Sequence, residues 1–188
     1  MDEVKLRSSN ALGPMPAAAR MRTVDEMMVH ARLAVIFEIA ADVERWPKWL
    51  PHYKYVRMRE RYAGGGIVEM AARRPFLGGL IKWPASWVAL MEVQHQVAGG
   101  VARPAIRFRH IEGITKGMEV EWSFESVTKA TRVSVLHLWN GPGWPVIGPI
   151  AAQGVIGPIF VHGIASRTLA GLAREAEGRL TSSSPTLI

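Results

Sequence analysis

Between Pro51 and Asn140 apolar and polar positions alternate with a period near two, while the flanking stretches repeat with helical spacing. Val56 and Met58 alternate with Arg57, Arg59 and Arg61, and Gly64-Gly65-Gly66 forms a turn into a strand over Ile67–Arg74. Lys82–His95 sets Trp83, Ala85, Trp87, Ala89, Met91 and Val93 on one face. Pro104–Glu112 sets Ile106, Phe108 and His110 against Arg107 and Arg109, and Met118, Val120, Trp122 and Phe124 alternate with Glu119, Glu121, Ser123 and Glu125. A last strand, Thr131–Trp139, ends at Asn140-Gly141-Pro142. Upstream, a short strand is expected over Thr23–His30 and a helix over Leu33–Asp42, followed by a short helix or turn from Trp46-Pro47 that Pro51 closes. Downstream, Val161, Ala165, Thr168, Leu172 and Ala176 form one stripe of a helix from about residue 159 to residue 180. One antiparallel sheet of about seven strands has an apolar face to cover, and only that helix is large enough. The expected fold is α+β: a curved sheet gripping a long C-terminal helix, with a hollow between them.

A turn around Gly113–Lys116 would put Arg107 opposite Glu121 and Arg109 opposite Glu119, a pairing that fixes register, since a one-residue slip reverses every face. The basic residues then read mainly as a solvated sheet face. The 188 residues carry a net charge of +7, but the cations are spread out and no nucleic-acid-binding motif is present, so no nucleic-acid partner is expected. Zero cysteines exclude disulfides, thiolate metal sites and cysteine nucleophiles. The first residues hold no apolar run, so no secretory leader is expected and the location is taken as cytoplasmic. Residues 1–21 read as a flexible arm, 22–180 as the domain and 181–188 as a loose tail.

Residues 23–60 add sequence detail to this order of elements. Val29-His30-Ala31, Val35-Ile36-Phe37, Asp42-Val43-Glu44-Arg45-Trp46-Pro47 and Trp49-Leu50-Pro51-His52-Tyr53 closely resemble the opening of START-like, polyketide cyclase/dehydrase-type domains. The resemblance implies a helix-grip fold with a deep apolar cavity. It leaves function open among aromatase/cyclases, quinone-binding proteins and carriers of lipids or hormones. It places Trp46, Tyr53 and Trp87 at cavity-lining positions. It also places Met91 where the aromatase/cyclases have a catalytic arginine, which removes the cation an aldol cyclisation would use.

On this reading the ligand wall comprises Trp46, Tyr53, Met70, Arg74, Trp83 and Trp87, with Met91, Phe108, His110, Met118, Trp122 and His137. Arg74 continues the Val68, Met70, Ala72 face, where an inward arginine needs an anionic or carbonyl partner, or else marks the rim. If there is catalysis, Arg74, Tyr53 and His110 are its candidates. The six histidines show no ligand spacing, so no metal is expected; Gly64–Gly66 lacks a dinucleotide-binding context, and no cofactor is expected either. No G-x-S-x-G stands for a hydrolase nucleophile. From Val133 to Ser166 there is no Asp, Glu, Lys or Arg, and Gly-Pro steps break the run. Residues 141–158 therefore read as an apolar lid, open to a peripheral membrane contact or a homodimer contact. The preferred function is binding of an apolar, aromatic or polycyclic small molecule such as a quinone, lipid or polyketide. The alternatives are a polyketide cyclase/dehydratase in the same cavity and a partner-binding module with a filled core.

Overall fold

A computed structural model describes residues 12–76, 81–98, 100–113, 115–141 and 162–182, with backbone alone at 74–76, 81–84, 96–98, 101–102, 162 and 180–182. The elements are β1 (Met21–Val29), α1 (Leu33–Ala41), a 3-10 turn (Val43–Arg45), α2 (Trp46–Trp49), β2 (Tyr53–Tyr62), β3 (Gly65–Phe76), β4 (Ile81–Ala98), β5 (Val101–Gly113), β6 (Glu119–Val127), β7 (Ala130–Trp139) and α3 (His162–Ser182). The seven strands form one antiparallel sheet in the order β1-β7-β6-β5-β4-β3-β2. It is the expected helix-grip arrangement.

The alternation sorts the residues as the pleat requires. Val68, Met70 and Ala72 of β3, Trp87 and Ala89 of β4, and Val133, Val135 and Trp139 of β7 are buried on the inner face. On α3, Ala165, Thr168, Leu172 and Ala176 are buried as the stripe predicts, and Leu169 and Ala173 widen it. α3 packs against β1, α1 and α2. Gly171 permits the close approach to α2, because a Cβ there would stand 2.1 Å from Leu50 Cδ2. Glu44 ties the helical corner to β2 by accepting the Met58 N–H at 2.8 Å and pairing with Arg61.

The register of β5 and β6 is the expected one, with Arg107 opposite Glu121 and Arg109 opposite Glu119. The outer face is not uniformly solvated. Near the β2–β3 edge it is an exposed ladder, where Glu69 accepts hydrogen bonds from Arg57 Nε at 3.1 Å, Tyr55 Oη at 2.7 Å and Arg59 Nε at 3.1 Å. These donors hold the Glu69 carboxyl down at about 2. Over β4–β6, however, Glu92, Arg107 and Glu119 are buried, because Leu12 and Gly13 lie across them. This corrects the solvated reading of Arg107. Among the described residues no helix is long and apolar enough to cross a membrane. Of the proposed lid at 141–158, all but Gly141 lies outside the described residues, as does the chain before Leu12.

Candidate functional site

The hollow between the sheet and α3 is built around Trp46. Pro47 starts α2 at a position where a missing N–H costs nothing, and so fixes Trp46 at the corner, 3% exposed. Its ring meets Tyr53 edge-on at 5.4 Å, Phe108 at 6.4 Å and Trp122 at 5.7 Å between centroids. Tyr53 continues to Trp87 at 6.3 Å, and Trp87 stacks on His110 at 5.7 Å with 16° between planes. Aromatic pairs at these separations and tilts are mutually attractive, so the wall is held by its own rings. The Trp46 indole N–H is buried and finds no hydrogen-bond partner among the described residues.

The polar part of the wall includes His110, Thr115, His137 and Thr168. His110 Nδ1 lies 2.7 Å from Thr115 Oγ1, and the turn at 115–117 that presents Thr115 is closed by Lys116 N–H to Gly113 O and Gly117 N–H to His110 O. His137 projects inward from β7, and burial lowers its imidazole to about 3, so it is uncharged at neutral pH. Its Nδ1 is 3.4 Å from Thr23 Oγ1. At the α3 side the Thr168 hydroxyl donates to Ile164 O at 2.8 Å. His52 Nε2, 3.0 Å from Thr168 Oγ1, must therefore be the donor of that pair, which assigns the Nε2–H tautomer. Burial, helped by the Arg167 charge, lowers His52 to about 4.

The lining includes Trp46, Tyr53, Met70, Trp87, Phe108, His110, Met118, Trp122 and His137, all of which the sequence had placed on this wall. Thr115, Val120, Ile164, Ala165 and Thr168 complete it. Val120, Ala165 and Thr168 were legible as members of inward stripes, whereas nothing in the sequence marked Thr115, which reaches the wall from a turn. Met91 is not among the described lining residues. It is buried at 3% exposure, but it pairs with Gly66 and Phe108 and borders a separate surface hollow beside Asp42 and Arg61. Four residues of strand carry it about 13 Å beyond Trp87. Arg74 and Trp83 face each other in register across β3 and β4, and their side chains lie outside the described part. Among the described residues the wall holds no Asp, Glu, Lys or Arg. No cluster of described residues could hold a metal ion.

The volume departs from the expected deep cavity. The hollow measures about 70 Å³, against ~300–1,000 Å³ for typical small-molecule pockets. Its described lining is dominated by bulky tryptophan, tyrosine, phenylalanine and methionine side chains.

A seven-stranded antiparallel sheet around a C-terminal helix, closed by two short helices over an aromatic hollow, defines the helix-grip class. Residues 29–156 match the family described as polyketide cyclase/dehydrase and lipid transport, and the chain belongs to that family. Among solved structures it is similar to the Zhui aromatase/cyclase from Streptomyces sp. R1128, with TM-score 0.71 and 16% identity over 87% of this chain and 98% of that one. It is also similar to a STAR-related lipid transfer protein from Xanthomonas axonopodis (TM-score 0.58, 11% identity, 86% and 89% of the two chains). A START superfamily protein from Mycobacterium smegmatis aligns with TM-score 0.54 and 21% identity over 87% and 99%. At these identities the likeness is one of fold. No protein of curated function matches the sequence.

Proposed function

We propose that the chain binds a neutral, apolar, aromatic or polycyclic molecule, of quinone, lipid or polyketide type, in the hollow between sheet and α3. The observation that carries this reading is the wall itself: aromatic and methionine side chains with a few histidine and threonine groups, and no described Asp, Glu, Lys or Arg. Such a surface rewards ring stacking and apolar burial and gives an oxygen substituent one or two hydrogen bonds. A ligand of several rings exceeds about 70 Å³, so binding moves part of the wall. Met70 and Met118, unbranched and flexible, are the side chains that yield most easily.

A second reading, a cyclase/dehydratase, has its own support in the placement of Tyr53 and His110 on one wall with Trp87 between them. A phenol and an imidazole are competent to exchange protons with a bound polyketide. Mass spectrometry of an organic extract of the pure protein separates the two. A binder releases one apolar ligand that is unchanged after prolonged incubation with fresh protein. An enzyme converts it to a product lighter by one water, and loses that conversion in His110→Gln and Tyr53→Phe. Extracts free of any specific ligand, together with no saturable Trp quenching by a soluble naphthoquinone, would overturn both.

A further inference from the structure

On the side of the sheet opposite the hollow, five charged residues occupy neighbouring register positions. Glu92 pairs with Arg107, Arg107 with Glu121, and Arg109 with Glu119. A charged ladder on the open face of an antiparallel sheet is ordinarily solvated, as the one around Glu69 is. Here Glu92 is 1% exposed, Arg107 3% and Glu119 6%. The cover is a short piece of backbone. The Leu12 N–H donates to Glu92 Oε2 at 3.2 Å, Arg109 Nη2 donates to Leu12 O at 2.6 Å, and Arg107 Nη1 donates to Gly13 O. The Leu12 side chain is itself buried, at 3% exposure. Gly13, at φ +61, then turns the chain away, and most residues from Gly13 to Arg20 are exposed.

We infer that this cluster is a peptide-binding clamp, separate from the hollow, which takes an apolar residue followed by glycine and is occupied by the chain's own N-terminal arm. Three successive backbone groups are read by three charged side chains, which makes the site tolerant of sequence apart from two positions. The first must supply an apolar anchor. The second must adopt a left-handed φ, which favours glycine. The docking is also reversible on energetic grounds. Charge-assisted hydrogen bonds and the burial of one leucine favour it. Against them stands the desolvation of ionised groups, and Arg107 Nε, Arg107 Nη2 and Glu119 Oε2 keep no hydrogen-bond partner among the described residues. Their counter-charges stand at 3.5 and 3.7 Å, beyond good hydrogen-bond length. The two sides nearly offset each other, so the arm leaves and returns without any strand of the sheet coming apart.

Amide exchange followed by NMR on the full chain tests this. The Leu12 N–H is expected to exchange roughly tenfold or more slowly than in a free peptide, yet faster than the amides of β4–β6, as befits a sub-global opening. Leu12→Ser, which lies outside the sheet, and Arg109→Gln, at a half-exposed position, should each return it to the free-peptide rate while β4–β6 protection persists. A free-peptide rate in the wild type would overturn the clamp, and so would protection that survives both variants. Protection that fades on dilution would assign the occupant to a second copy of the chain and overturn the arm in cis.

Discussion

A histidine buried among apolar side chains folds in its neutral form, and its protonation then belongs to the unfolded chain. His137 titrates at about 3 in the folded protein and near 6.5 when unfolded. Between those values the unfolded state binds the extra proton, so the contribution is fully present above about pH 6.5 and is lost as the pH falls toward 3. One such group gives a slope of about 1.4 kcal/mol per pH unit within the window. His52, lowered to about 4, acts with the same sign over a narrower range and less strongly, being only half buried. Urea unfolding of the wild type at pH 7, 6 and 5 should show stability declining. His137→Gln should remove about 1.4 kcal/mol per pH unit from that decline. An unchanged slope in the variant would mean that His137 is hydrated or charged in the folded state. The same residue bears on the ligand, because an uncharged imidazole beside Met118 and Val120 is a hydrogen-bonding partner and not an anion receptor.

Among the elements, the β5–β6 connection does most to shape the polar end of the hollow. Gly113 ends β5 at φ +94, and a Cβ there would lie 2.5 Å from the Ser86 carbonyl oxygen on β4. Gly113→Ala should therefore cost about 1–3 kcal/mol. It should also disturb the His110–Thr115 pair, visible as a shifted His110 imidazole resonance, whereas Gly117→Ala meets no neighbour and should cost only the strain of its own positive φ. Equal effects of the two substitutions would deny the close packing of Gly113 on β4. The strands themselves were legible in the sequence, because one apolar face and one charged face leave a period of two and opposite charges leave a register: Arg107 and Arg109 found Glu121 and Glu119 as read. Less legible was whatever does not repeat. Met91 keeps the inward parity of β4, but parity says nothing about how far along a long strand the hollow extends. Thr115 comes from a turn, where there is no period to read. Leu12 docks through backbone groups that every residue possesses, so its burial over Glu92 and Arg107 had no signature in composition or spacing.

At the scale of the whole molecule, the charged ladders around Glu69 and Glu119 lie on one side of the sheet and the hollow on the other. The pairs that Arg57 and Arg59 make with Glu69, and Arg107 and Arg109 with Glu119, project outward, while Trp46, Trp87, Phe108 and Trp122 project inward. Arg61, beyond the irregularity between Met58 and Glu60, pairs instead with Glu44 at the helical corner. A net charge of +7 thus gives an anion a reason to approach the surface but no cation to meet among the described residues of the wall. Desolvating a carboxylate without a cation costs several kcal/mol, while a neutral carbonyl or phenol can be satisfied by His110, Thr115 or the Trp46 indole N–H. The hollow should therefore sort ligands by charge. In Trp-fluorescence titrations, a neutral naphthoquinone and its carboxylate analogue of the same ring skeleton should differ by roughly a hundredfold in Kd at low salt, equivalent to ~2.7 kcal/mol, in favour of the neutral compound. Raising the salt should barely change the neutral ligand's Kd, because ionic screening acts on charges. Trp122→Leu should weaken the neutral ligand by removing a stacking wall. Preference for the carboxylate that persists at high salt would place a cation in the hollow. Arg74, whose backbone ends the inward Val68–Met70–Ala72 face, is the residue it would then implicate, and Arg74→Met should reverse the preference.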